Sequence, residues 1–111
     1  MSQPLRRQAA LGSAFDALAN EERRRILRRL ARGAATTPEI ASQFHFTKQA
    51  MSRHVAVLER AGLIGRSSRG RVRSLTLVPT QLDRISLWIA ELRHGWLASL
   101  DRLDEVLKER P

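Results

Sequence analysis

The side chains with the most chemistry to offer lie between Thr47 and Arg73. After Thr47 come Lys48, Gln49, Ser52, Arg53 and His54, interleaved with apolar Met51, Val55 and Leu58. In a helix running to about Ala61 those three apolar residues share one face at four- and three-residue steps, leaving the polar residues of the first turns to face outward. That surface suits the reading of nucleic-acid base edges. Gln49 has the paired donor and acceptor that adenine presents, Arg53 or Lys48 can reach guanine acceptors or phosphates, and Ser52 and His54 suit phosphate or base-edge contacts. Further on, Arg66, Arg69, Arg71 and Arg73 flank Gly70, with no acidic residue between Arg60 and Asp83. A hairpin carrying such arginines can lie along flanking phosphates or enter a minor groove.

No comparable set supports catalysis. Asp101, Asp104 and Glu105 have no partner base and no Gly-rich phosphate loop is present, so neither a catalytic site nor a cofactor is expected. His94 stands alone among scattered Asp83, Glu91 and Asp101, whereas zinc needs three or four ligands together, so no metal is expected. His45 reads as the end of a helix. Trp88 and Trp96 read as amphipathic anchors of a contact between two copies, with a ligand pocket as the alternative. Arg24, Arg25, Arg28, Arg29 and Arg32 read as a solvated helix face.

The elements that must hold these residues follow from local punctuation. Residues from about Ala9 to Ala19 set Ala10, Ala14, Phe15 and Leu18 on one helical face. Asn20 caps a second helix whose first turn carries Glu21 and Glu22; Ile26, Leu27 and Leu30 point inward and Gly33 stops it. A third, short helix starts at Thr36 or Thr37. Pro38 at the first helical position favours Thr37, whereas Glu39 would complete a capping box from Thr36. His45 and Phe46 make the turn, Thr47 caps the fourth helix, and Gly62 ends it with Leu63 folding back on Leu58. Ile64 to Ser67 and Val72 to Leu77 then flank Ser68-Arg69-Gly70-Arg71 as a β-hairpin.

From Thr80 to about Glu109 the apolar residues Leu82, Ile85, Ile89, Leu92, Trp96, Leu100, Leu103 and Leu107 form one stripe on a helix on the order of 45 Å long. That exceeds the small body before it, so much of the stripe is expected against a second copy of the chain. Leu11 and Phe15 on the first helix join Ile85, Trp88, Ile89, Leu92, Trp96, Leu100 and Leu103 as the expected dimer interface.

The totals agree. A chain of 111 residues with 42% hydrophobic and 28% charged residues is one modest globular domain. Its net charge of +9 favours a polyanionic partner, and it is uneven: residues 1–79 carry 15 basic against 5 acidic side chains, residues 80–111 carry 5 against 6. There is no cysteine, no apolar run near membrane length and no secretory signal in Met1 to Ala10, so a soluble cytoplasmic protein is expected.

At this point the chain resembles the ArsR/SmtB-type winged-helix regulators. Leu18 to Leu30 is similar to their second helix, L-(D/A)-x-x-R-R-x-I-L-x-x-L. Thr47 to Ile64 resembles their recognition helix, S-x-x-x-(V/L)-S-x-H-L-x-x-L-x-x-A-G-L-(V/I). Gly70-Arg71 with Leu75-Thr76-Leu77 resembles the wing G-R-x-x-x-Y-x-L, with Leu75 in place of Tyr. The resemblance covers about residues 13–77 and extends loosely over the last helix. It implies a homodimer joined through the first and last helices, binding an imperfect inverted repeat in its own control region and releasing it on a signal. The thiol cluster of the metal and arsenic sensors cannot exist here, and the carboxylate and histidine site on the last helix is unmatched, so the resemblance is to a cysteine-less, non-metal branch.

The expected fold is therefore mainly α, a winged helix-turn-helix of order α-α-α-α-β-β-α. Residues 1–111 form a single domain: a DNA-binding core over 9–79, with the helix-turn-helix at 37–61 and the wing at 64–77, and a dimerisation helix over 80–109. The expected function is a dimeric repressor acting on operator DNA in the bacterial nucleoid. One alternative is an architectural or non-specific nucleic-acid-binding protein; another is a sensor of an unknown small-molecule effector bound between the dimer helices.

Overall fold

The computed structural model describes the backbone of residues 3–109 and the side chains of residues 10–109. Its elements run α1 (Gln3–Leu18), α2 (Glu21–Ala31), α3 (Thr37–Phe44), α4 (Lys48–Arg60), β1 (Ile64–Arg69), β2 (Val72–Leu77) and α5 (Thr80–Glu109). The order is the α-α-α-α-β-β-α expected. α1 begins about two turns earlier than the apolar pattern indicated, because residues 3–8, with Leu5 as their one large apolar side chain, show no repeating apolar face by which a helix start is read.

Each junction closes with local chemistry. Asn20 accepts from the backbone N–H of Arg23 at 3.0 Å to start α2. The Arg23 side chain reaches back to donate to the carbonyls of Ala17 at 2.8 Å and Asp16 at 3.0 Å, and Arg24 donates to Leu18, so two cations satisfy the open carbonyls at the end of α1. For α3 the capping box prevails: Thr36 accepts from the Glu39 N–H and the Glu39 carboxylate accepts from the Thr36 N–H, both at 3.3 Å. His45 ends α3 in the left-handed region at φ 59°, and Thr47 caps α4 by accepting from Ala50 at 3.0 Å. α5 begins at Thr80, as the sequence indicated.

The core lies where α1 to α4 meet the base of the hairpin. Ile26, Ile40, Met51, Leu58, Leu63 and Leu75 are its largest fully buried side chains, joined by Leu27, Leu30, Val55 and Ile64. Burying a side chain of this size stabilises by roughly 1.5–3 kcal/mol, so this cluster fixes how the short helices sit. β1 and β2 pair antiparallel from Ile64↔Leu77 to Arg69↔Val72, leaving Gly70 and Arg71 as the turn. Gly70 has φ 60°, the positive value that the first central residue of a type II′ turn requires. The wing is also held from its far side: Ala35 and Leu75 exchange backbone hydrogen bonds of 3.2 and 2.8 Å, so the α2–α3 connection works as a third, one-residue strand.

α5 packs on this body only at its start. Ile85 is buried, while Leu87, Trp88, Ile89, Leu92, Trp96, Leu97, Leu100 and Leu103 are all exposed. The chain extends 73 × 35 × 24 Å with a radius of gyration of 19.6 Å, against about 13 Å for a compact fold of this length. The second half of α5 is thus an arm that leaves the body with its apolar stripe uncovered.

Candidate nucleic-acid interface

α4 divides its residues between two surfaces. Met51, His54, Val55 and Leu58 are buried, while Thr47, Lys48, Gln49, Ser52 and Arg53 are exposed. The exposed five occupy the N-terminal half of the helix, as the spacing indicated. Of these, Lys48 and Ser52 border a cleft of about 550 Å³ between α3 and α4, whose lining also includes Thr37, Phe46 and Arg66 of the wing.

His54 is a correction to the sequence reading. It is 8% exposed, and its Nε2 donates to the Glu22 carboxylate at 2.6 Å while Phe46 lies edge-on at 5.8 Å between ring centroids. Its place on the wheel, one turn from Met51 and Leu58, puts it on the inner face of α4, so it fastens α4 to α2 and does not project with Gln49 and Arg53. Glu22 had a local explanation as a negative charge in the first turn of a helix, and a partner 32 residues away leaves no signal in a single sequence.

The wing arginines also divide. Arg66 lies on the hairpin face that looks toward α4 and grips Glu59 through Nε at 3.1 Å to both oxygens and Nη2 at 2.7 Å. Hydrogen bonding by that guanidinium, against a smaller opposing effect of burial and aided by its charge, holds the Glu59 carboxyl below its ordinary 4.5; the same pairing pushes Arg66 up. Arg66 therefore fastens the wing to the end of α4 while its side chain stays about half exposed. Arg69, Arg71 and Arg73 are exposed around the Gly70 turn, and no carboxylate comes within ion-pair distance of them among the described residues.

Of the residues expected at the dimer interface, Leu11 is half-buried, and Phe15, Trp88, Ile89, Leu92, Trp96, Leu100 and Leu103 are 36–65% exposed in the single chain. Ile85, at 7%, is taken up by its own chain's core and leaves that set. Phe15 and Trp88 meet edge-on at 5.3 Å, which joins α1 and α5 into one apolar surface beside an open basin of about 380 Å³ containing Leu11, Leu87 and Glu91. Sequence reasoning missed Gln81. Buried at 8%, it donates to the Ala10 carbonyl at 3.4 Å, accepts from Arg84 at 3.2 Å and packs on Gly62, tying α5 to α1 and to the end of α4. Among the described residues no three His, Cys, Asp or Glu side chains gather as a metal site, and no helix is long and apolar enough to cross a membrane.

Two helices joined by a tight turn, the second presenting a polar end, followed by a basic hairpin, define a winged helix-turn-helix protein. Comparison with known proteins agrees. Residues 18–65 match the helix-turn-helix domain family. A solved ArsR family transcriptional regulator is 34% identical, with 78% of this chain aligned to 96% of that one at a TM-score of 0.72. An ArsR-like transcriptional regulator from Rhodococcus sp. RHA1 shares the fold at a TM-score of 0.80, with 24% identity over 89% of this chain and 93% of that one. A homodimeric winged helix-turn-helix domain from Mycobacterium bovis, a possible ArsR-family regulator, shares it at 0.66, with 19% identity over 85% and 87%. No functionally curated protein matched. The chain belongs to the ArsR family of transcriptional regulators: it is a DNA-binding regulator and not an enzyme.

Proposed function

We propose that this protein is a homodimeric repressor that occupies an imperfect inverted repeat, its own control region included, and excludes polymerase from the promoter. The observation that carries this reading is the exposed end of α4: among the described residues the side chains of Gln49, Ser52 and Arg53 have no partner, and Arg69, Arg71 and Arg73 of the wing have no counter-charge. In this reading Gln49 and Arg53 read base edges in the major groove, Thr47, Lys48 and Ser52 hold the backbone, and the wing arginines and Gly70 follow the flanking phosphates or minor groove. Residues 1–111 act as a single domain in the bacterial nucleoid, with 9–79 as the DNA-binding core and 80–109 as the dimerisation helix.

Dimerisation supplies the second half-site contact. The uncovered stripe of α5 from Ile89 to Leu103, continued by Trp88, Phe15 and Leu11, is a large apolar surface of the kind that an obligate partner covers. The Mycobacterium bovis domain is itself a homodimer, which supports the same assembly here. Footprinting on DNA upstream of the gene tests the proposal. Protection of two symmetry-related half-sites about one helical turn apart is expected. Protection without a boundary, or of a single half-site, would sink it.

A further inference from the structure

α2 and α4 pack through one core, Ile26, Leu27 and Leu30 of the first meeting the cluster that holds Met51, Val55 and Leu58 of the second. Their outer faces therefore diverge. The outer face of α2 carries Arg25, Arg28, Arg29 and Arg32, at steps of three, one and three residues, over about 10 Å of helix. Together with Gln43 and Phe44 at the end of α3 they line an open trough of about 430 Å³. Among the described residues the only carboxylate within 4.0 Å of these arginines is that of Glu21, at 3.6 Å from Arg25. Arg29 spends one side-chain N–H on the Gly33 carbonyl at 3.0 Å; the guanidinium groups of Arg28 and Arg32 make no hydrogen bond or ion pair among the described residues. Four cations massed this closely repel one another unless an anion sits among them.

We infer that this trough is a second contact for the DNA backbone, one that grips a duplex other than the one seated on α4. The inference rests on the DNA-binding reading above. The chemistry fits phosphate: guanidinium forks bind its oxygens in pairs, the Gln43 amide adds a neutral donor, and the trough is open to solvent and not enclosed. A duplex carries one charge per ~1.7 Å of axis, so 10 Å of α2 spans several phosphates and releases several counterions. The trough shares no lining residue with the cleft at the start of α4 or with the wing, so a duplex seated on α4 and the wing leaves these arginines free for another. The protein would then hold two DNA segments together, as a looping or condensing regulator does.

Capture of a second duplex tests this. Palindromic operator DNA is immobilised, saturated with full-length protein so that both α4 surfaces are occupied, and exposed to labelled random duplex at low salt. Arg28→Gln/Arg32→Gln is expected to cut capture by roughly fivefold or more and to leave operator affinity within about twofold, since the capture is purely a counterion-release contact. Three results would overturn the inference: no capture by the wild-type protein, equal capture by the double variant, or operator affinity falling in step with capture. Displacement of the second duplex by polyglutamate as readily as by DNA would also overturn it, and would assign the trough to an acidic protein. Failure of the DNA-binding reading shows separately, as wild-type protein without operator preference.

Discussion

Gln49 and Arg53 lie on the exposed side of α4, one turn apart, and neither side chain has a partner among the described residues. A bidentate contact to a base discriminates by about 1–3 kcal/mol, so Gln49→Ala is expected to flatten preference at one base position without changing the salt slope. Arg71→Gln should instead weaken operator and random DNA alike and lower the slope by about one. Titrations of both variants at two salt concentrations check this; interchanged behaviour would mean that the reading and backbone-holding roles are misassigned. His54 makes a different kind of prediction. Its hydrogen bond to Glu22 joins a buried ring to a half-exposed carboxylate, and His54→Ala is expected to destabilise by about 1–3 kcal/mol through the lost bond and the cavity. In urea unfolding, Glu22→Gln should cost much less in the His54→Ala background than in the wild type. Strict additivity would show that the pair does not act as a link.

At the scale of elements, the sequence made the helices and hairpin legible because each carries its own boundary signal: Asn20, the Thr36–Glu39 box, Thr47, Gly62 and the Gly70 turn are all local. What it hid are contacts across long separations, namely His54 with Glu22, Gln81 with Ala10, and Ala35 with Leu75. The Arg66–Glu59 pair was hidden for the same reason: an arginine in a basic hairpin looks unpaired until the fold brings Glu59 beside it. Gly62 shows both levels at once. Its φ of 73° was expected from the helix end, but a Cβ there would also stand 3.3 Å from Cγ of Gln81. Gly62→Ala is therefore expected to lower stability by about 1–3 kcal/mol, and an unchanged melting temperature would argue against the α4–β1–α5 junction described. The Glu59–Arg66 pair adds a pH signature. Glu59 titrates lower in the folded protein than in the unfolded chain, so the pair's contribution is present above the ordinary value of 4.5 and is lost as pH falls through the folded value. Solvent screening limits it to less than about 1 kcal/mol. Wild type and Arg66→Ala should differ in stability at pH 6 and converge in strong acid.

For the whole molecule, the decisive feature is the length of α5 against the size of the body it leaves. The stripe that gave this away is regular over eight apolar positions, which is why the arm was readable without a structure; the placement of Ile85 inside one chain was not, because the stripe does not mark where the body ends. Leu92→Asp or Leu100→Asp is expected to yield monomers by sedimentation and to weaken operator binding by orders of magnitude, since a dimer engages both half-sites in one event. A variant that remains a tight dimer would move the interface elsewhere.

The central claim, that the end of α4 reads sequence while the wing and its neighbours hold the backbone, meets its most direct test in a single competition titration. Labelled DNA from upstream of the gene is titrated with wild-type protein and with Gln49→Ala/Arg53→Ala, each against unlabelled random duplex at two salt concentrations. The account predicts a wild-type preference of at least about a thousandfold for one palindromic site, with the double variant retaining the salt-dependent binding and losing most of the preference. Equal competition by random DNA against the wild-type protein would contradict it.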